Sequence, residues 1–303
     1  MNVRDQRQKL ATSDEGDGLV LVAVHDLQSA ETTLWRAFAL SRSRGCKLHV
    51  LRVLPPVHVP NPLFPEDRSI ERIAAMTELD AETDALRRKL TDLFPSETWE
   101  GRVETRSGAF VRTIEACAEN KRVDLVVMQP PQGRLGADVS RLASALRVPI
   151  LVARTVAAGE CILAATDLRD PNYPVLSEAT ELGARLELPV VALHNVPQTA
   201  PVLTGPFGWP VATLPDATLP EIRRKHLNES IRRTGAQGSI LRCGLETPGA
   251  ILREARSLDA DLVVVGTRAK SWLSRFFSRS VAADVIDVAS RSVLVVPINE
   301  DAA

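Results

Sequence analysis

The stretch "GTRAKSWLSRFFSRSV", residues 266–281, follows the apolar run Leu262 to Val265 and leads into a helical pattern. A glycine closing a buried strand, a basic loop bearing hydroxyls and a helix start suit a phosphate. Amide N–H groups can point at the anion there, and the helix dipole favours negative charge. Arg268, Lys270, Arg275 and Arg279 lie in this segment with no acidic residue among them. They read either as an anion site at a helix start or as a solvated basic loop, with Trp272 and Leu273 as its anchors. Asp167 ends another apolar run, Cys161 to Ala165. A carboxylate in that position can accept hydrogen bonds from a base or ribose, help to hold a metal ion, or cap the turn that follows.

Other reactive residues are sparse. His25, His49 and His194 fall in or beside apolar runs, His58 in a loop and His226 in a helical pattern. None forms a legible constellation with Ser, Cys or paired acids, so all five read as structural. Cys46, Cys117, Cys161 and Cys243 are scattered and form no CxxC pair. They read as small buried or half-buried thiols, and no metal site is expected. There is no GxGxxG, no GxxxxGK followed by Ser or Thr, and no GxSxG, so nothing positive supports an enzyme.

The elements that must position these residues occur twice. Val-, Ile- and Leu-rich runs fall at 19–24, 49–54, 102–105, 125–128 and 149–152, and again at 161–165, 189–194, 239–243, 262–265 and 293–296. They lack polar alternation, which suits strands covered on both faces. "LVLVAVHD" (19–26) resembles "CILAATD" (161–167), "VDLVVMQ" resembles "ADLVVVG", and "VPILVAR" resembles "SVLVVPI". One duplicated unit accounts for the whole chain. Helical stripes separate the runs: Ile70, Ile73, Met76, Leu79, Leu86, Leu90 and Leu93 in the first half, and Phe276, Phe277, Val281, Val285, Ile286 and Ala289 in the second. Both read as sheet-packing core. Alternating strand and helix specify a parallel sheet with right-handed crossovers, so each half is expected to be a three-layer α/β sandwich. Ligands in such a sheet bind outside the carboxyl ends of the strands, where strand order reverses. That selects the loops after the first and fourth strands of each half.

The 303 residues fit two domains. We expect a disordered tail over 1–17, a first domain over 18–154, a linker over 155–160 and a second domain over 161–299. Apolar residues at 45% and charged residues at 25% are ordinary for a soluble globular protein. The net charge of -1 gives no general reason to bind nucleic acid or an anionic membrane. The polar first 17 residues and the short run Leu19 to Val24 resemble neither a signal peptide nor a span, so a cytoplasmic protein is expected.

"ILAATDLRD", "ALHNV" (192–196), "ETPGAILREARSLDADLVVVGTR" (246–268) and "SRSVAADVIDVASRSVLVVPI" (278–298) together resemble the universal stress protein family. The likeness covers nearly all of the second half and, more faintly, the first. It implies two tandem universal stress protein domains, each a Rossmann-like five-stranded parallel sheet sandwiched by helices. In that family, ATP-binding members carry Gly, two residues, Gly, nine residues, then Gly and Ser or Thr. The resemblance carries a nucleotide role onto Asp167, Gly266, Thr267, Arg268, Arg279, Ser280 and Val281. Gly266 and Ser280 match the pattern, but Ala269 and Arg279 stand where the second and third glycines belong. A side-chain-bearing residue forced into left-handed backbone costs about 1–2 kcal/mol, and its Cβ takes space near the phosphates. The Arg279 guanidinium can pair with a phosphate or occupy its place.

The first half departs further. Gln129 replaces the first glycine, Pro130 and Pro131 remove amide donors, and Gly133 and Gly136 read as turn formers. ATP is therefore expected, if anywhere, in the second domain only. Pro-rich connections at 55–69 and 196–220 follow the second strand of each half and read as lids, partner surfaces or disordered segments.

The resemblance implies a non-enzymatic stress-response regulator or scaffold. A weak ATPase or nucleotidyl-transfer enzyme, with Asp167 orienting Mg-ATP and Ser280 contacting phosphate, is the alternative, as is a carrier of an apolar small molecule. The family commonly dimerises through its last strands, so Ile150 to Val152 and Val293 to Val296 are expected to pair the two domains as a pseudo-dimer. A homodimer and an unidentified protein partner stay open, and neither nucleic acid nor membrane is expected as a partner.

Overall fold

The structure, a computed structural model, describes residues 18–56, 65–130, 133–154, 158–197, 202–204, 210–212, 218–244, 246–268 and 280–298. The chain divides into two compact units. The first comprises Met1–Arg134 and Ala145–Thr155, the second Leu135–Ser144 and Val156–Ala303.

The first unit runs β1 (Leu19–Val24), α1 (Glu31–Arg44), β2 (Lys47–Leu54), α2 (Pro65–Leu93), β3 (Val103–Ser107), α3 (Phe110–Glu119) and β4 (Leu125–Met128). After α4 (Gly136–Leu146), most of which groups with the second unit, comes β5 (Ile150–Val152). All neighbours are parallel, in the order β5-β4-β1-β2-β3. Consecutive residues of β1 and β4 are buried, as a strand covered on both faces requires. The edge strand β3 is only half-buried. Helix α1 starts on Glu31 and ends on Arg42 and Arg44, each charge set against the helix dipole. It stops at Gly45, whose φ of 65° returns the chain to β2 with little strain. Trp35 and Phe38 of α1 form an aromatic cluster with Phe94, just past the end of α2, Phe38 and Phe94 stacking at 4.3 Å.

The second unit runs β6 (Cys161–Ala165), α5 (Pro174–Leu186), β7 (Val190–Pro197), β8 (Val202–Thr204), β9 (Pro210–Ala212), α6 (Thr218–Thr234), β10 (Gly238–Gly244), α7 (Thr247–Ser257), β11 (Ala260–Arg268), α8 (Val281–Val288) and β12 (Ser292–Ile298). Its parallel order, β12-β11-β6-β7-β10, repeats that of the first unit. Both units are thus the expected doubly wound α/β fold, with strand order reversing beside β1 and β4 in one and β6 and β11 in the other.

Two features were not expected. Within the second Pro-rich connection, β8 and β9 pair antiparallel, Val202 opposite Ala212 and Thr204 opposite Pro210. Among the described residues of the α2 stripe, Leu86 and Leu90 are fully buried, whereas Met76 is 57% exposed. In the second stripe Val285, Ile286 and Ala289 are buried and Val281 is exposed. The side chains of Ile70, Ile73, Phe276 and Phe277 lie outside the described residues. No helix among the described residues is long and apolar enough to cross a membrane.

Candidate functional site

In the second unit β11 outruns its neighbour. Val265 is its last residue paired to β6, opposite Ala165, while Gly266, Thr267 and Arg268 continue beside Val296, Pro297 and Ile298 of β12. This overrun lifts Arg268 to the level of the loop that follows β6. There the Arg268 guanidinium meets Asp167, Nη2 lying 3.2 Å from Oδ2 and 3.4 Å from Oδ1. The structure therefore brings two of the expected site residues together, but as partners of each other.

Asp167 also has a local task. Its Oδ1 accepts the Arg169 amide at 3.1 Å, and Asp170 accepts the Asn172 amide at 2.9 Å in the same way. These are turns closed by Asx side chains. Within the first, Leu168 holds a left-handed φ of 57°, its amide donating to Thr166 Oγ1 at 3.1 Å. The capping role weighed for Asp167 is realised, and the ion pair is added to it.

Gly266 has a packing reason to be glycine. A Cβ there would come within 2.5 Å of Ile298 Cδ1 and 2.9 Å of Val175 Cγ2. Thr267 is buried. Ser280 sits at the N-cap of α8, where its carbonyl accepts the Asp284 amide at 3.0 Å and its hydroxyl makes no capping bond. Val281 begins the helix and is 39% exposed. Arg279, with Ala269, Lys270, Trp272, Leu273 and Arg275, lies outside the described residues.

Further polar residues stand at this end of the sheet, His194, read as structural, and Asn195, which was given no role. The neutral His194 ring donates Nδ1–H to the Thr166 carbonyl at 2.8 Å, and burial holds its pKa below the ordinary value. Asn195, 7% exposed, donates from Nδ2 to Thr247 Oγ1 at 2.9 Å and Gly244 O at 3.4 Å. Its Oδ1 is buried with no hydrogen-bond partner among the described residues. Both residues lie in "ALHNV", so their position at a strand end was legible, but their bonds were not.

The matching end of the first unit is filled. Gln129, 1% exposed, turns its side chain across the end of β1. Its Oε1 accepts the His25 amide at 2.7 Å, His25 Nδ1–H at 2.7 Å and the Asp26 amide at 3.0 Å. Its Nε2 donates to Asp26 O at 2.8 Å and Ser29 Oγ at 3.3 Å. Asp26 is itself engaged: the Ser29 hydroxyl, then the Gln28 amide, hold its carboxyl below the usual range. His25 packs on Phe110 at 5.1 Å, and burial lowers its pKa. Gly133, with φ of 82°, is a turn former as expected, whereas Gly136 opens α4.

Fold and site together define a duplicated, doubly wound α/β protein whose candidate site lies at the carboxyl ends of its strands. The chain belongs to the universal stress protein family, whose model matches residues 19–154 and again 160–297. In fold it is similar to a functionally unknown protein from Pseudomonas aeruginosa PAO1, at 20% identity and TM-score 0.57, covering 92% of each chain. It is likewise similar to a universal stress protein from Archaeoglobus fulgidus DSM 4304, at 13% identity and TM-score 0.56, covering 93% of this chain and 97% of that one. No curated protein matches it in sequence.

Proposed function

We propose that this universal stress protein is a non-enzymatic, nucleotide-independent stress-response scaffold. The observation that carries the reading is the engagement of the groups a nucleotide would need. In the second unit Arg268 holds the Asp167 carboxylate, and Val175 and Ile298 fill the space in front of Gly266. In the first, Gln129 occupies the end of β1 with five hydrogen bonds, two of them to strand-end amides. A ligand would have to displace bonds already made, and a buried polar group stripped of its partner costs about 1–3 kcal/mol.

An ATP-responsive second domain is the competing reading, favoured by one feature. The Asp167–Arg268 pair is part-exposed, at 47% and 29%, and pairs of that kind contribute little and open easily. Calorimetric titration with Mg-ATP separates the two: the scaffold gives no saturable binding, and micromolar binding contradicts it.

A further inference from the structure

His49, Glu104 and Cys117 come from β2, β3 and α3 of the first unit and meet at one point. One ligand atom from each lies within 4.8 Å of the other two. His49 Nε2 is 3.3 Å from Glu104 Oε2, and Cys117 Sγ is 3.8 Å from the same oxygen. His49 is 8% exposed and Cys117 fully buried, while Glu104 keeps a part-exposed side chain on the solvent side.

The order of contacts excludes a nucleophile pair, because Glu104 stands between thiol and imidazole and no substrate reaches a buried sulfur. It fits a tetrahedral ion better. Zinc takes N, O and S ligands at about 2.0–2.3 Å, which sets ligand atoms about 3.3–3.6 Å apart. Arg106 Nε donates to Glu104 Oε1 at 2.5 Å, fixing the carboxylate with Oε2 turned inward, as an outer-shell partner does. His49 offers Nε2 to the same point from its buried ring.

We propose that His49, Glu104 and Cys117 form a site for a zinc-class divalent cation, with solvent supplying the fourth ligand. Binding exchanges the Cys117 thiol proton for the metal, and one proton goes to solvent per ion. Two negative ligands and a neutral imidazole then balance the divalent charge. Arg106 and Lys121 lie close enough to oppose a cation, so the site binds more weakly than one without them.

Cobalt(II) titration of the full chain tests this, because thiolate ligation adds a charge-transfer band in the near ultraviolet. The expected result is one ion per chain with that band, bleached by zinc and retained in Cys243→Ser, which removes the exposed thiol. Cys117→Ala should lose the band. Glu104→Gln, altered on the solvent side, should keep the band but bind about tenfold or more weakly. Circular dichroism checks that each variant is folded. Absence of saturable binding, binding without the thiolate band, a band that survives Cys117→Ala, or undiminished affinity in Glu104→Gln would overturn the assignment.

Discussion

At the scale of single residues, the candidate site is explained by side chains that serve each other. Gln129 was recognisable in the sequence as a departure from a glycine. What it does in place of that glycine depends on two loop amides about a hundred positions earlier, which no local pattern records. Gln129→Ala leaves those amides and the Asp26 carbonyl without their partner and should lower unfolding free energy by about 2–4 kcal/mol, read from the urea midpoint. A loss below about 0.5 kcal/mol would mean that water takes the place of the side chain and that this end of the sheet is open. Gly266 supplies a second test. Gly266→Ala presses on Ile298 Cδ1 and Val175 Cγ2 and should cost about 1–3 kcal/mol. Adding Ile298→Val removes the closest atom and should recover part of that loss. If the double variant is no more stable than Gly266→Ala alone, packing is not why the residue is glycine.

At the scale of elements, the strands were legible because continuous Val, Ile and Leu runs leave no polar face. β1, β4 and β6 begin and end where those runs do. The overrun of β11 was not legible, since Gly-Thr-Arg carries no apolar signal and is drawn into the strand by its register with β12. The β8–β9 pair was missed because Pro210 falls within it and each strand has only three residues. The convergence of His49, Glu104 and Cys117 escaped because 55 and 13 positions separate Glu104 from its two neighbours.

The strand ends also set a pH response. Burial holds His25 and His194 below the ordinary 6.5, only partly offset by Asp26 at His25 and by the Thr166 carbonyl, then Asp167, at His194. The unfolded chain therefore takes up protons that the folded one refuses. This stability is fully present above pH 6.5 and is lost as pH falls below it, towards the folded values. The urea midpoint should drop between about pH 7.5 and about pH 5.5, and the drop should shrink in His194→Gln. An equal drop in that variant would show that His194 is not a source of it.

At the scale of the whole molecule, one chain carries the universal stress protein fold twice, and the two copies differ in what stands at the ends of their strands. The sheet survives in both because its residues are fixed by burial. The contacts at the strand ends are of different kinds, Gln129 bonded to the His25 and Asp26 amides in one unit and Arg268 paired with Asp167 in the other. The most direct test is calorimetric titration of the intact chain with Mg-ATP, alongside Asp167→Ala. A nucleotide-independent scaffold predicts no saturable heat up to millimolar ligand in either protein. Micromolar binding by the unaltered chain that disappears in Asp167→Ala would contradict it and make the second domain a nucleotide sensor.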